Sequence, residues 1–192
     1  MSAEAELEQN DVELDPREAA ELAARRRVAL AQIRQYPDPA LRLRGNEVEH
    51  FDEALERLAD RMTGLMNDAR GVGLAATQVG VLQRLFVYQA YEEDEPRVLV
   101  NPRITRRSSE TEIADEGCLS LQGVLVPVER ALAVTLEGQD LSAAPLRLEL
   151  DEMAARVVQH ELYHLDGVLI IERTDPESRR EALATLRHSL SP

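Results

Sequence analysis

An α+β fold, with antiparallel and mixed sheets packed around a central helix, is predicted by three features of this 192-residue sequence. Short β-favouring runs, punctuated by Pro and Gly, fill the stretch from Leu85 to Leu150. Helical patterns lie on either side of that stretch instead of alternating with its strands. One helix that follows it, Asp151 to Leu165, is apolar on most of its circumference and must run through the interior.

In chain order, Arg17 to Gln32 is rich in Ala, Leu, Arg and Glu, all strong helix formers, and gives out before the stiff turn Tyr36-Pro37-Asp38-Pro39. Phe51 to Ala69 places Leu55, Leu58, Met62, Leu65 and Met66 on one face of a second helix. Strands are expected at Leu85 to Tyr88, Val98 to Val100, Val124 to Val128 and Ala131 to Leu136, and Leu146, Leu148 and Leu150 alternate as a half-buried strand should. Asp151 is placed to cap the central helix and Gly167 to close it. Val168 to Ile171 reads as a short strand and Pro176 to Leu190 as a terminal helix.

Composition bounds the function. The net charge of -14 disfavours nonspecific nucleic-acid or anionic-membrane binding, since both reward positive charge. Eight acids against Arg17 alone between Met1 and Ala24 make residues 1–32 an acidic, partly helical or disordered extension, leaving residues 33–192 as one domain. The N-terminus lacks the basic start and apolar stretch of a secretory signal, and no apolar run nears the ~20 residues that span a bilayer, so a cytoplasmic protein is expected. A single cysteine, Cys118, excludes an internal disulfide.

The central helix carries His160-Glu161-Leu162-Tyr163-His164, a match to H-E-x-x-H. Positions four apart on a helix differ by ~400°, so both imidazoles leave one face and can share a metal, with Glu161 beside it. The bland reading is a pair of core histidines satisfied by hydrogen bonds. A third protein ligand is needed, and the residues leave several readings open. Gly167 fits the extended metzincin pattern, but its last position is Ile170, which cannot ligate; Glu181 stands at a thermolysin-like distance in a charged helix; and Cys118 lies in Glu116-Gly117-Cys118-Leu119-Ser120. A lone cysteine is more often a small buried hydrophobe than a ligand.

Three runs together resemble the signature motifs of the peptide deformylases: Gly71-Val72-Gly73-Leu74-Ala75-Ala76-Thr77-Gln78, then Glu116 to Ser120, then His160 to His164. The resemblance spans about Gln35 to Leu190. It implies a metal-dependent hydrolase that removes the formyl group from the starting methionine of nascent polypeptides. It further implies one divalent metal ion on Cys118, His160 and His164, ferrous iron (Fe2+) in the cell with Zn2+, Ni2+ or Co2+ able to replace it. By the same resemblance Glu161 is the catalytic acid/base, and the Gln78 side-chain amide and the Leu119 backbone N–H stabilise the developing oxyanion.

Gly71 and Gly73 let the main chain approach an extended substrate, and Val72, Leu125 and Val157 are candidates for the methionine pocket. Glu116 and Arg130 are a candidate buried pair that steadies the Cys118 strand. The formylated nascent peptide is the expected partner. The terminal helix, with Arg179, Arg180 and Arg187, is a candidate for a transient ribosome contact, with a solvated face the plainer reading. Four positions depart from the family pattern. Tyr163 stands where aspartate is usual, Gln122 and Thr77 where proline is common, and Leu125 where an arginine is often found. Two rivals remain: another metallo-amidase or peptidase on this scaffold, and a noncatalytic paralogue that binds formylated peptide or a partner.

Overall fold

In the computed structural model, which describes residues 15–189, seven strands and three other α-helices surround α3, Glu152–Leu165. The acidic leader ahead of Asp15 lies outside the described residues. Helix α1, Pro16–Leu30, opens on Asp15, whose side chain accepts from the Arg17 N–H. Helix α2, Glu53–Asp68, is capped by Asp52, which accepts from the Ala54 and Leu55 N–H groups. It buries the predicted face, Leu55, Met62, Leu65 and Met66.

Five strands form one antiparallel sheet in the order β1 (Gly73–Ala75), β2 (Leu85–Tyr88), β3 (Arg97–Arg107), β6 (Ala133–Gln139) and β7 (Pro145–Asp151). Strands β4 (Thr111–Glu116) and β5 (Val126–Ala131) form a separate antiparallel pair. Strand β2 is buried on both faces, because successive side chains point oppositely and each face has its own helix. Leu85 and Val87 join the cluster around α2, while Phe86 and Tyr88 join the cluster that holds Val157, Val158, Leu162 and Leu165 of α3. A third cluster gathers Leu121, Val124, Val126 and Val128 against Leu169, Ile170, Ile171 and, from α4 (Pro176–Ser189), Ala182 and Leu186. Helix α3 is thus enclosed by sheet, hairpin and helix, as the fold class requires.

Gly167, at φ +73°, ends α3. The Gly167 N–H donates to His164 O and the Val168 N–H to Tyr163 O, the paired bonds of a left-handed C-terminal cap. The segment after it is not the expected strand. Ile170–Glu172 is a 3-10 turn, with the Glu172 N–H on Leu169 O and the Glu172 carboxylate accepting from the Leu169 N–H. Four consecutive apolar residues report burial, and the backbone bonds of this segment are those of a local turn and not of a strand ladder. Asp151 holds the expected N-cap position of α3 and also ends β7 opposite Ala133, but its side chain makes no capping bond. Strand β4 escaped the pattern because Thr111-Glu112-Ile113-Ala114-Asp115 is polar and largely exposed.

Phe86 is fully buried on the face of β2 that packs against α3. Phe86→Ala should therefore lower unfolding free energy by about 3–5 kcal/mol, measured by urea titration.

Candidate active site

Cys118 and the two histidines come from stretches 42 residues or more apart in sequence, and β4 and α3 bring them together. The one-turn spacing on α3 sets His160 Nε2 3.2 Å from His164 Nε2, and Cys118 Sγ stands 3.2 Å from that same His164 nitrogen. The three donor atoms lie within 4.8 Å of one another. Cation bonds of ~2.0 Å to nitrogen and ~2.3 Å to sulfur place tetrahedral donors roughly 3.3–3.7 Å apart, so two of the three spacings already approach that arrangement.

The protonation pattern also suits a cation. Glu116 is ionised and can only accept, so the contact at 2.9 Å uses the proton on His160 Nδ1 and leaves Nε2 as the ring nitrogen turned toward the other two donors. Burial, with His160 and Arg130 adding, holds His164 well below the usual histidine range, so it is neutral. Burial pushes the Cys118 thiol up to about 12, with Glu161 adding and a hydrogen bond from the Ser120 N–H opposing. Its ionisation at neutral pH needs a cation beside it, and metal uptake must release the proton. Among the described residues, no other group of Cys, His, Asp and Glu converges in this way. Glu181 lies on the exposed face of α4, and Ile170 is buried in the third cluster.

Glu116 joins the hairpin to α3. Arg130 Nε and Nη2 each donate to it at 2.8 Å, and Arg156 Nη1 donates at 3.0 Å. Burial opposes ionisation of Glu116, but the hydrogen bonds from Arg130 and His160 and their charge outweigh it and hold the carboxyl down at about 2. The sequence placed Glu116 against Arg130; its grip on His160, and the part of Arg156, were not foreseen. Arg156 and His160 are four apart on α3, so helical spacing was the available signal.

Glu161 is buried beside the three donors, and its Oε2 has no hydrogen-bond partner among the described residues. Burial, with the negative charge of Glu116, pushes this carboxyl well above the usual range against the pull of Arg130. Gly73 makes room for it: a Cβ there would collide with the Glu161 carboxylate. The bare backbone at residue 73 is thus filled by Glu161 and not left only for a ligand. Gln78, in the 3-10 turn Ala76–Val79, accepts from the Ala75 N–H and donates to Ser120 Oγ at 3.1 Å, with Cys118 Sγ 3.7 Å away. Leu119 follows Cys118, and its carbonyl accepts from Gln35.

Two departures from the family pattern acquire partners. The Thr77 hydroxyl donates to His164 O at 3.0 Å and ties the Gln78 turn to α3. Gln122 donates to Gln35 Oε1, which fastens the loop after Cys118.

Gln78, Glu116, Cys118, Leu119, His160 and Glu161 line a cleft of about 520 Å3, and the buried His164 is not among its lining residues. Val72, Gly73, Leu125 and Val157 line it as expected, together with Met153, which helical spacing from Val157 would have found. Val72 (47% exposed) and Leu125 (70%) form its rim, whereas Val157 is buried in its floor. Arg26 of α1 and Arg70 also reach the cleft, and nothing local in the sequence marks them.

Comparison with known proteins gives the same reading. A model of the polypeptide deformylase family matches residues 30–180. Peptide deformylase 1 of Corynebacterium glutamicum is 42% identical over 164 residues, covering 84% of this chain and 97% of that protein. The chain belongs to the polypeptide deformylase family. The Thermotoga neapolitana peptide deformylase is 45% identical over 148 residues, covering 77% of this chain and 89% of its own. Among solved deformylases, that of Thermotoga maritima superposes with a TM-score of 0.72 at 44% identity, covering 75% of this chain and 97% of that one. The Legionella pneumophila peptide deformylase gives 0.77 at 38%, covering 81% and 92%. Deformylase family membership makes the chain an enzyme, a metal-dependent hydrolase.

Removing the Glu116 charge leaves a buried guanidinium unpaired, so Glu116→Gln should destabilise the metal-free protein by on the order of 3–5 kcal/mol at pH 7. The depressed carboxyl stabilises fully above its ordinary value of about 4.5 and loses that effect as pH falls through about 2. Unfolding curves of wild type and variant should therefore converge in acid. Gly73→Ala should displace Glu161 and lower kcat by at least ~10²-fold while metal content, read by atomic absorption, stays at wild-type level.

Proposed function

We propose that Cys118, His160 and His164 hold one divalent metal ion in this cleft and that Glu161 moves the protons of the reaction. The reaction is hydrolysis of the N-formyl group on the N-terminal formyl-methionine of nascent polypeptides. The observation that carries the site assignment is the convergence of one sulfur and two imidazole nitrogens beside a buried carboxyl that has an unpartnered oxygen.

A dication on these donors supplies Lewis acidity, polarising a carbonyl and lowering the pKa of water toward ~7. Glu161 takes a proton from the attacking water as its oxygen joins the formyl carbon. It returns a proton to the departing amine as the C–N bond breaks, giving formate and a free N-terminus. A carboxyl whose burial favours its protonated form is suited to holding that proton between the two transfers. The Gln78 amide and the Leu119 N–H are assigned to the developing oxyanion, each worth ~3 kcal/mol by the general scale of such donors.

Val72, Leu125 and Val157 form an apolar cleft for the methionine side chain. Gly73 brings β1, whose pairing with β2 leaves its other edge toward the cleft, close to an extended peptide. Ferrous iron is the proposed ion in the cell, with Zn2+, Ni2+ or Co2+ as replacements. The ligand set alone admits all of them.

Residues 33–192 are the proposed catalytic domain and residues 1–32 an appended extension. The proposed setting is the cytoplasm, in keeping with the absence, among the described residues, of any helix long and apolar enough to cross a membrane. Helix α4 offers Arg179 and Arg180 on an exposed face for a transient ribosome contact.

Glu161→Ala should retain stoichiometric metal and lose ~10²–10⁴-fold in kcat on formyl-Met-Ala. A variant that still deformylates well would remove Glu161 from the mechanism. Cys118→Ser should weaken metal binding by at least ~10-fold in a chelator competition, and unchanged metal affinity would exclude the sulfur ligand. Cleavage of unformylated peptides at a comparable rate would favour a general peptidase instead.

A further inference from the structure

Tyr163 lies between the two histidines on α3 and does not line the cleft. Its ring nevertheless faces two cations: the guanidinium carbon of Arg130 stands 4.3 Å from the ring centroid and that of Arg173 4.8 Å. Both distances fall within the ~6 Å at which a guanidinium is attracted by the negative face of an aromatic ring. Arg173 is exposed and its attraction is weakened by water, whereas Arg130 is only 2% exposed, so the Arg130 contact is the stronger.

Arg130 is also incompletely satisfied by oxygen. Two of its nitrogens are spent on Glu116, and the third, Nη1, is buried with no hydrogen-bond partner among the described residues. A buried guanidinium nitrogen without an acceptor is costly. The Tyr163 ring is a source of negative potential against that guanidinium, and it adds no formal charge. A carboxylate at residue 163 would instead divide the Arg130 charge with Glu116.

We propose that Tyr163 is a positioning residue for the metal centre: its ring face seats Arg130, Arg130 fixes Glu116, and Glu116 orients His160 through Nδ1. The contacts run without a gap, from ring to guanidinium at 4.3 Å, guanidinium to carboxylate at 2.8 Å twice, and carboxylate to imidazole at 2.9 Å. The phenol hydroxyl has no part in this relay. The inference rests on the reading of Cys118, His160 and His164 as the metal ligands.

The test replaces Tyr163 with phenylalanine and then with di-, tri- and pentafluorinated phenylalanines, which keep the ring's shape while draining the negative potential of its face. Zn2+ and Co2+ affinities are measured by chelator competition, with the Co2+ visible spectrum, kcat and KM alongside. Tyr163→Phe should match wild type. Affinity should then fall stepwise with fluorination, by about tenfold at the pentafluoro ring, with the Co2+ spectrum shifting in step. Turnover should fall through kcat at constant KM, and the metal-free unfolding midpoint should fall slightly in the same order, because the ring's attraction for the buried Arg130 is present without the ion.

A flat affinity series would overturn the proposal, as would a Phe variant that loses as much as the pentafluoro one. Because the series is nearly isosteric, it decides the matter even if Tyr163→Leu does not fold. A wild-type protein that binds neither ion stoichiometrically would instead remove the metal assignment on which the inference stands, and that outcome is visible before any variant is made.

Discussion

Glu116 places a negative charge where the β4–β5 hairpin meets α3, and the site's geometry depends on how that charge is held. Alone, a carboxylate so deeply buried would be neutralised or would open the structure to water. Here Arg130 from the opposite strand of the hairpin, with Arg156 and His160 from the helix, surrounds it with donors. The hairpin carries Cys118 two residues further on, and the helix carries both histidines. One ion-pair network thus fixes the distance between the two stretches that the chemistry needs together. A buried pair of this kind contributes less to net stability than an apolar substitute could; what it contributes is one orientation.

Around that network the fold supplies enclosure. The sheet strand β2 is sandwiched, with α2 against one face and α3 against the other, and α3 is thereby kept from water along most of its length. Enclosure is what makes His164 neutral, Cys118 reluctant to ionise and Glu161 inclined to hold a proton. These three effects share one cause, the low polarity of the surroundings, and each suits a donor set that a cation must complete. Small residues make the enclosure close: the Glu161 carboxylate occupies the volume that a side chain at Gly73 would take.

Several departures from the family pattern are compensated locally. Thr77, in place of a proline, gains a hydroxyl that reaches His164 O and joins the turn bearing Gln78 to the helix bearing the ligands. Gln122 ties its loop to Gln35, whose own amide holds the Leu119 carbonyl. Leu125 presents an exposed apolar side chain at the cleft's rim, where Arg26 and Arg70 bring positive charge from α1 and from the end of α2. Arg26, which lies ahead of the family match, therefore contributes to the surroundings of the cleft.

The elements with a strong period were legible: α2 from its 3.6-residue stripe, α3 from its apolar circumference, β7 from strict alternation. The pair His160 and His164 needed only the helix, since one turn of it fixes their separation whatever the rest of the chain does. Strand β4 was hidden because an exposed polar strand leaves no hydrophobic trace. The apolar run Val168 to Ile171 misled because hydrophobicity reports burial but not the backbone's partner.

Local sequence could set the chemistry of each side chain and the spacing within one helix, since both are decided over a few residues. Only the tertiary structure could decide that Cys118 meets His164, that Glu116 grips His160, and that two guanidiniums face Tyr163. Those contacts join residues roughly 10 to 50 apart in sequence, and their free energy comes from burying charge and apolar surface together, which no short window of sequence records.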